Sequence, residues 1–100
     1  MDPGIPDIFI GVVVTDTSGR DTGGIYYVIQ EDPIYLYLAN GKDRTLDKPK
    51  QKKRKHVQKV LRSETRVAQK LRAGDKVLNG ELRRDLADIC QNMQSNNLGG

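Results

Sequence analysis

The sequence predicts a small, mainly β domain, a barrel of short strands, followed by two short helices. Three observations carry that expectation. Between residues 9 and 60, short β-branched and aromatic runs alternate with turn residues, the pattern of a strand-rich module. After Ser63 the apolar spacing lengthens to that of helices. The chain has 100 residues, 36% hydrophobic and 30% charged, which is material for one modest core in one domain.

The first strand is expected over residues 9–15 (FIGVVVT), bent at Gly11 because glycine is unusual inside a strand. Residues 25–30 (IYYVIQ) make the second, and Glu31-Asp32-Pro33 a turn. The third covers residues 34–39 (IYLYLA), where Ile34, Leu36 and Leu38 should face the core and Tyr35 and Tyr37 the other side. Asn40-Gly41 closes it, as both residues tolerate positive φ. Arg44-Thr45-Leu46 is a short fourth strand and residues 55–60 (KHVQKV) a fifth. A closed barrel would remove the exposed edges of so short a sheet, with Val12, Val14, Ile29, Leu36 and Leu38 as its core. Ser63 should cap a helix over residues 64–72 that carries Val67 and Leu71 on one face and stops at Gly74. Asn79 should cap a second helix, in which Leu82, Leu86, Ile89, Cys90 and Met93 form one apolar stripe. The stripe must pack, since an isolated helix of this length is marginal in water. We therefore expect a flexible leader over 1–8, the barrel over 9–62, a helical extension packed on it over 63–94, with Leu86 and Ile89 buried, and a frayed tail over 95–100.

Charge is distributed unevenly. Residues 1–47 hold three basic side chains against eight acids, residues 48–72 eleven against Glu64 alone, and residues 73–100 three against four. The net charge of +4 therefore hides a local concentration that attracts polyanions. One cysteine and one histidine supply neither an internal disulfide nor the ligands of a structural zinc site. The first residues carry acids where a secretory signal carries Lys or Arg, so a cytoplasmic location is expected. No apolar run approaches the roughly 20 residues of a membrane span. Paired catalytic carboxylates, a nucleophile elbow and a phosphate-cradling loop are all missing from the sequence. The expectation is a protein that is not an enzyme and takes no cofactor or metal.

The candidate binding residues are cations. The run over residues 48–55 (KPKQKKRK) contains Lys48, Lys50, Lys52, Lys53, Arg54 and Lys55, with no acid among them; such a run neutralises phosphates and releases counterions, or merely solvates a loop. The second candidate is the loop Ser18-Gly19-Arg20-Asp21, with Gly23 beyond it. In one reading Gly19 and Gly23 turn the backbone while Asp21 caps it and pairs with Arg20. In the other Asp21 is structural and Arg20 is offered to a partner. Tyr35 and Tyr37 could stack on bases, or cover the barrel exterior where the helices dock; the second is favoured, since amphipathic rings suit such contacts. His56 would need a partner to act as a base, and Cys90 is expected to be a small core residue.

The stretch GVVVTDTSGRDTGGIYYVI, residues 11–29, resembles the KOW motif, a β-hairpin whose loop carries a glycine and basic residues. Its continuation LANGKDRTLDKPKQKKRKHVQ is similar to small bacterial KOW-domain RNA-binding proteins, relatives of KOW-type large-subunit ribosomal proteins. The resemblance spans most of residues 9–61. It implies an SH3-like barrel in contact with structured RNA, rRNA above all, using Ser18, Gly19 and Arg20 with the basic run, and Asp21 and Gly23 as structural loop residues. It also implies ribosomal proteins as further partners. Because KOW barrels can bind proteins, the alternative function is an adaptor for a ribosomal or transcription protein, through the barrel or the helix stripe. The oligomeric state is left open.

Overall fold

The computed structural model describes residues 8–17, 24–62 and 65–99. Among these residues five strands follow one another: β1 (Val12–Asp16), β2 (Ile25–Glu31), β3 (Tyr35–Ala39), β4 (Lys50–Lys53) and β5 (Val57–Arg62), with a 3-10 turn at Arg54–His56. They form one antiparallel sheet in the order β4-β3-β2-β1-β5. Irregularities in register at Val13/Val14 and between Val28 and Gln30 increase the local twist, as bulges do. The sheet accordingly curls into a half-barrel.

Three expectations about the β region change. The fourth strand is Lys50–Lys53, whereas Arg44-Thr45-Leu46 lies in the bends before it. Gly11 precedes β1 instead of bending it, and its N–H donates to the Val28 carbonyl at 2.9 Å. The barrel is open: in the sheet order β4 and β5 are edges. Lysines on β4 suit such an edge, because charge discourages the addition of another chain.

The two faces of the sheet bury different sets. Val12 and Val14, Tyr26 and Val28, Leu36 and Leu38, and Val57 form the inner cluster, with Ile8 and Phe9 packed against it. Ile8, expected in the flexible leader, is half-buried here, and its carbonyl accepts from Arg54 Nη1 at 2.9 Å. On the outer face Val13, Tyr27 and Ala39 meet Val67 and Ala68 of helix α1 (Arg66–Ala73) and Leu82, Leu86 and Ile89 of helix α2 (Asn79–Gly99). Ile29 belongs with this second cluster and is only partly buried. Alternation along β2 places it opposite Val28. Ile34 is 59% exposed, because it stands in the turn before β3: Asp32 Oδ1 accepts from the N–H groups of Ile34 and Tyr35 at 2.9 and 2.6 Å. Those two donors, Tyr35 first, hold the Asp32 carboxyl below its ordinary pKa, helped by the nearby Arg54 charge.

The first helix begins two residues later than expected. Thr65, not Ser63, is its N-cap, and the Thr65 hydroxyl accepts from Ala68 N–H. Ser63 lies outside the described residues. Gly74 ends α1 in the left-handed conformation, φ 79°, as expected, with its N–H directed at the Leu71 and Lys70 carbonyls. Asn79 does not serve as a cap: its Oδ1 accepts from Leu46 N–H at 2.8 Å, docking the preceding loop on the start of α2. Glu81 takes the capping role, accepting from Leu78 N–H at 3.0 Å. It also pairs with Lys70 at 2.9 Å. The Lys70 hydrogen bond, then the Leu78 amide, lowers the Glu81 pKa. Leu86 and Ile89 are buried as expected, so that part of the stripe is spent on this chain's own sheet.

Cys90 is exposed. Eight residues beyond Leu82, it lies about 80° around the helix, at the margin of the stripe, while Leu86 and Ile89 stay near its centre. The side chain of Met93 falls outside what is described. The α2 backbone continues through residues 95–99, where fraying was expected. Tyr27 joins all three layers: it is fully buried, and its hydroxyl bonds to Asp85 of α2 and to the Thr65 hydroxyl at 2.8 Å. Leu36 is also fully buried, in the inner cluster. Leu36→Ala is expected to cost on the order of 2–5 kcal/mol through reduced burial and a residual cavity, read as a lower urea midpoint with unchanged slope.

Candidate nucleic-acid interface

The basic run becomes a strand, and a strand sends alternate side chains to opposite faces. On β4, Lys52 is paired with Leu36 and Lys50 with Leu38, so both lysines share the inner face with those leucines. There they meet Asp16, at the end of β1, whose side chain is shut off from solvent. Lys50 Nζ lies 2.7 Å and Lys52 Nζ 3.3 Å from Asp16 Oδ2. Lys50 also stands over the Tyr26 ring, 5.5 Å from its centroid. Strands β1 and β4 are not neighbours in the sheet. These ion pairs therefore tie the β4 edge across the mouth of the half-barrel.

Arg54 is committed to the fold as well. Its Nε donates to the Asp32 carbonyl at 2.8 Å, Nη1 to the Ile8 carbonyl at 2.9 Å, and Nη2 to Glu31 Oε1 at 3.1 Å. The other Glu31 oxygen accepts from Ile10 N–H at 2.9 Å. Arg54 thus clamps the entry to β1 against the β2–β3 turn, a geometry suited to a planar guanidinium with five donors.

The remaining cations point outward. Lys48, Lys53 and Lys55 are exposed, and no ion pair among the described residues engages them. On the outer face Lys53 is paired with Tyr35 and Gln51 with Tyr37, and Gln51 Nε2 donates to the Tyr37 hydroxyl at 3.1 Å. Both tyrosines are half-buried and belong to neither apolar cluster. The helices dock on Val13, Tyr27 and Ala39 of this face instead. A shallow hollow of about 340 Å³ adjoins Tyr35, lined by Pro33, Ile34, Lys53, Arg54 and Lys55.

Of the residues singled out in the sequence, the structure brings the basic run and the two tyrosines together on the β3–β4 edge. It divides the run into an inward set (Lys50, Lys52, Arg54) and an outward set (Lys48, Lys53, Lys55). Ser18, Gly19, Arg20, Asp21 and Gly23 lie outside the described residues. His56 contributes its backbone: its carbonyl accepts from Thr17 N–H at 2.9 Å and from the Thr17 hydroxyl at 3.0 Å. Asp16 was not foreseen. The available signal was its place two residues after Val14, where alternation predicts an inward side chain that must find a cation. No protein-family model matches the sequence, and no curated protein matches it.

Proposed function

We propose that this chain is a non-catalytic RNA-binding module of KOW type, an SH3-like barrel that docks on structured RNA, with rRNA as the expected target. The observation that carries the reading is the outward set Lys48, Lys53 and Lys55, exposed before, on and just after the edge strand β4, with no acid in the run to neutralise it. Ammonium groups so placed contact phosphates without giving up a bond the fold needs. The curled five-strand sheet is consistent with the barrel that the KOW resemblance implies. The loop at Ser18, Gly19 and Arg20 remains part of the proposed footprint on the strength of that resemblance.

The test is a salt titration of binding to an rRNA fragment. Removing a cation that neutralises one phosphate should lower the slope of log affinity against log salt by about 0.7–0.9. Replacing Lys48, Lys53 and Lys55 by Gln should therefore flatten the slope by roughly two to three units and leave the urea midpoint nearly unchanged. Replacing Lys50 and Lys52 by Gln should instead lower the midpoint, since the buried Asp16 carboxylate then loses both of these ammonium groups. An unaltered salt slope in the outward triple variant would remove this set from the footprint.

A further inference from the structure

We propose that the face formed by β3 and β4 binds an unpaired stretch of RNA, stacking bases on Tyr35 and Tyr37 while Lys53 and Lys55 hold the adjoining phosphates. This rests on the RNA reading above and specifies which kind of RNA segment lies against the sheet.

Tyr35 and Tyr37 stand on the same face of β3, about 6.6 Å apart along the strand at its usual rise, which leaves room for one base per ring. Both are half-buried and outside the clusters that hold the helices to the sheet. Neither is therefore needed to bury the sheet's apolar surface. Their cross-strand neighbours on β4 are Lys53 and Gln51, a cation and an amide whose other donors and acceptors can meet phosphate or a base edge. The hollow lined by Pro33, Ile34, Lys53, Arg54 and Lys55 adds the exposed apolar side chain of Ile34 to the same cations. The Asp32 carboxylate in the adjoining turn is held by the Ile34 and Tyr35 amides and by the Tyr37 hydroxyl, which leaves the faces of both rings open for stacking.

Charge complementarity selects the occupant. An aromatic pair flanked by lysines suits a polyanion that also carries flat apolar faces, which is a nucleic acid strand. Bases inside a duplex already stack on each other, so the rings can reach them only where the strand is unpaired. Loops, bulges and ends of a structured RNA provide such segments.

The experiment measures affinity at one salt concentration for a ten-nucleotide oligouridine and for an RNA duplex of matched phosphate count. It uses wild type, the double variant Tyr35→Leu/Tyr37→Leu and the double variant Tyr35→Phe/Tyr37→Phe. Stacking predicts that the Leu pair weakens oligouridine binding about tenfold or more and leaves duplex binding nearly unchanged, while the Phe pair keeps wild-type affinity. A second readout needs no variant: tyrosine fluorescence of the wild type should be quenched by oligouridine and not by the duplex. If wild type binds the duplex but the Leu pair matches it on both ligands, or if oligouridine leaves the fluorescence unchanged, stacking is overturned and the RNA reading stands. If wild type binds neither RNA, the RNA reading itself falls and this inference with it; a protein occupying the same face would give that outcome.

Discussion

Asp16→Ala should cost about 3 kcal/mol and lower the urea midpoint while leaving the denaturant slope unchanged. Asp16 is 1% exposed at the end of β1, and two ammonium groups from the non-adjacent strand β4 converge on its carboxylate. Removing one side of a buried ion cluster leaves the other side charged, desolvated and unpartnered, which typically costs about 3–5 kcal/mol. The lower end applies here because the Lys50 and Lys52 side chains, 15% and 22% exposed, can turn their heads part of the way to water. A compensating variant separates charge from packing. Asp16→Ala combined with Lys50→Met and Lys52→Met should recover most of the stability, since an apolar replacement of a buried ionic cluster is often neutral. Wild-type stability in Asp16→Ala would show that the mouth of the half-barrel does not depend on this link.

Gly41→Ala should be comparably damaging, on the order of 3 kcal/mol or more, and the comparison with Gly74→Ala isolates the reason. Both glycines adopt left-handed backbone, with φ of 78° and 79°, which disfavours any residue with a Cβ by about 1–2 kcal/mol. A Cβ on Gly74 would meet nothing within 4 Å. On Gly41 it would run into the Asn79 carbonyl oxygen and lie 3.0 Å from the carbonyl carbon and 3.1 Å from Arg83 N. Those atoms are backbone at the start of α2, so relief requires moving the helix. The loop is also anchored there through Leu46 N–H and Asn79 Oδ1, 2.8 Å apart. Thermal unfolding of the two variants checks this: Gly74→Ala should lower Tm by a few degrees, and Gly41→Ala by clearly more. Equal shifts would mean that conformational cost alone operates at both sites.

Where the sequence and the structure agree, the information is local. Period-two alternation placed Val12, Val14, Leu36 and Leu38 together inside the sheet, and 3.6-residue spacing placed Leu82, Leu86 and Ile89 together under a helix. Gly74 as a helix stop and Gly41 as a turn residue follow from backbone sterics that any single position reports. The missed fourth strand shows the limit of such signals. Residues 50–53 read KQKK, and lysine has little intrinsic preference for strands, so nothing local separates this strand from a solvated loop. It forms because β3 offers a row of backbone partners. Cys90 marks the same limit on α2, where the width of the apolar stripe depends on how closely the sheet approaches.

By itself the sequence determined a strand-rich domain with a helical extension and a basic run in the middle of the chain. Which of those cations serve the fold, and which face outward, only the tertiary structure decided. A run of like charges carries no local record of where its counter-charges lie. Lys50 and Asp16 are 34 positions apart, and they meet only because the sheet curls until non-neighbouring strands β1 and β4 share an interior. Arg54 likewise finds its acceptors at Ile8, Glu31 and Asp32 because that curl brings three separate segments within reach of one guanidinium. The outward set of lysines and the tyrosines beside it are what remains once these long-range pairings are made.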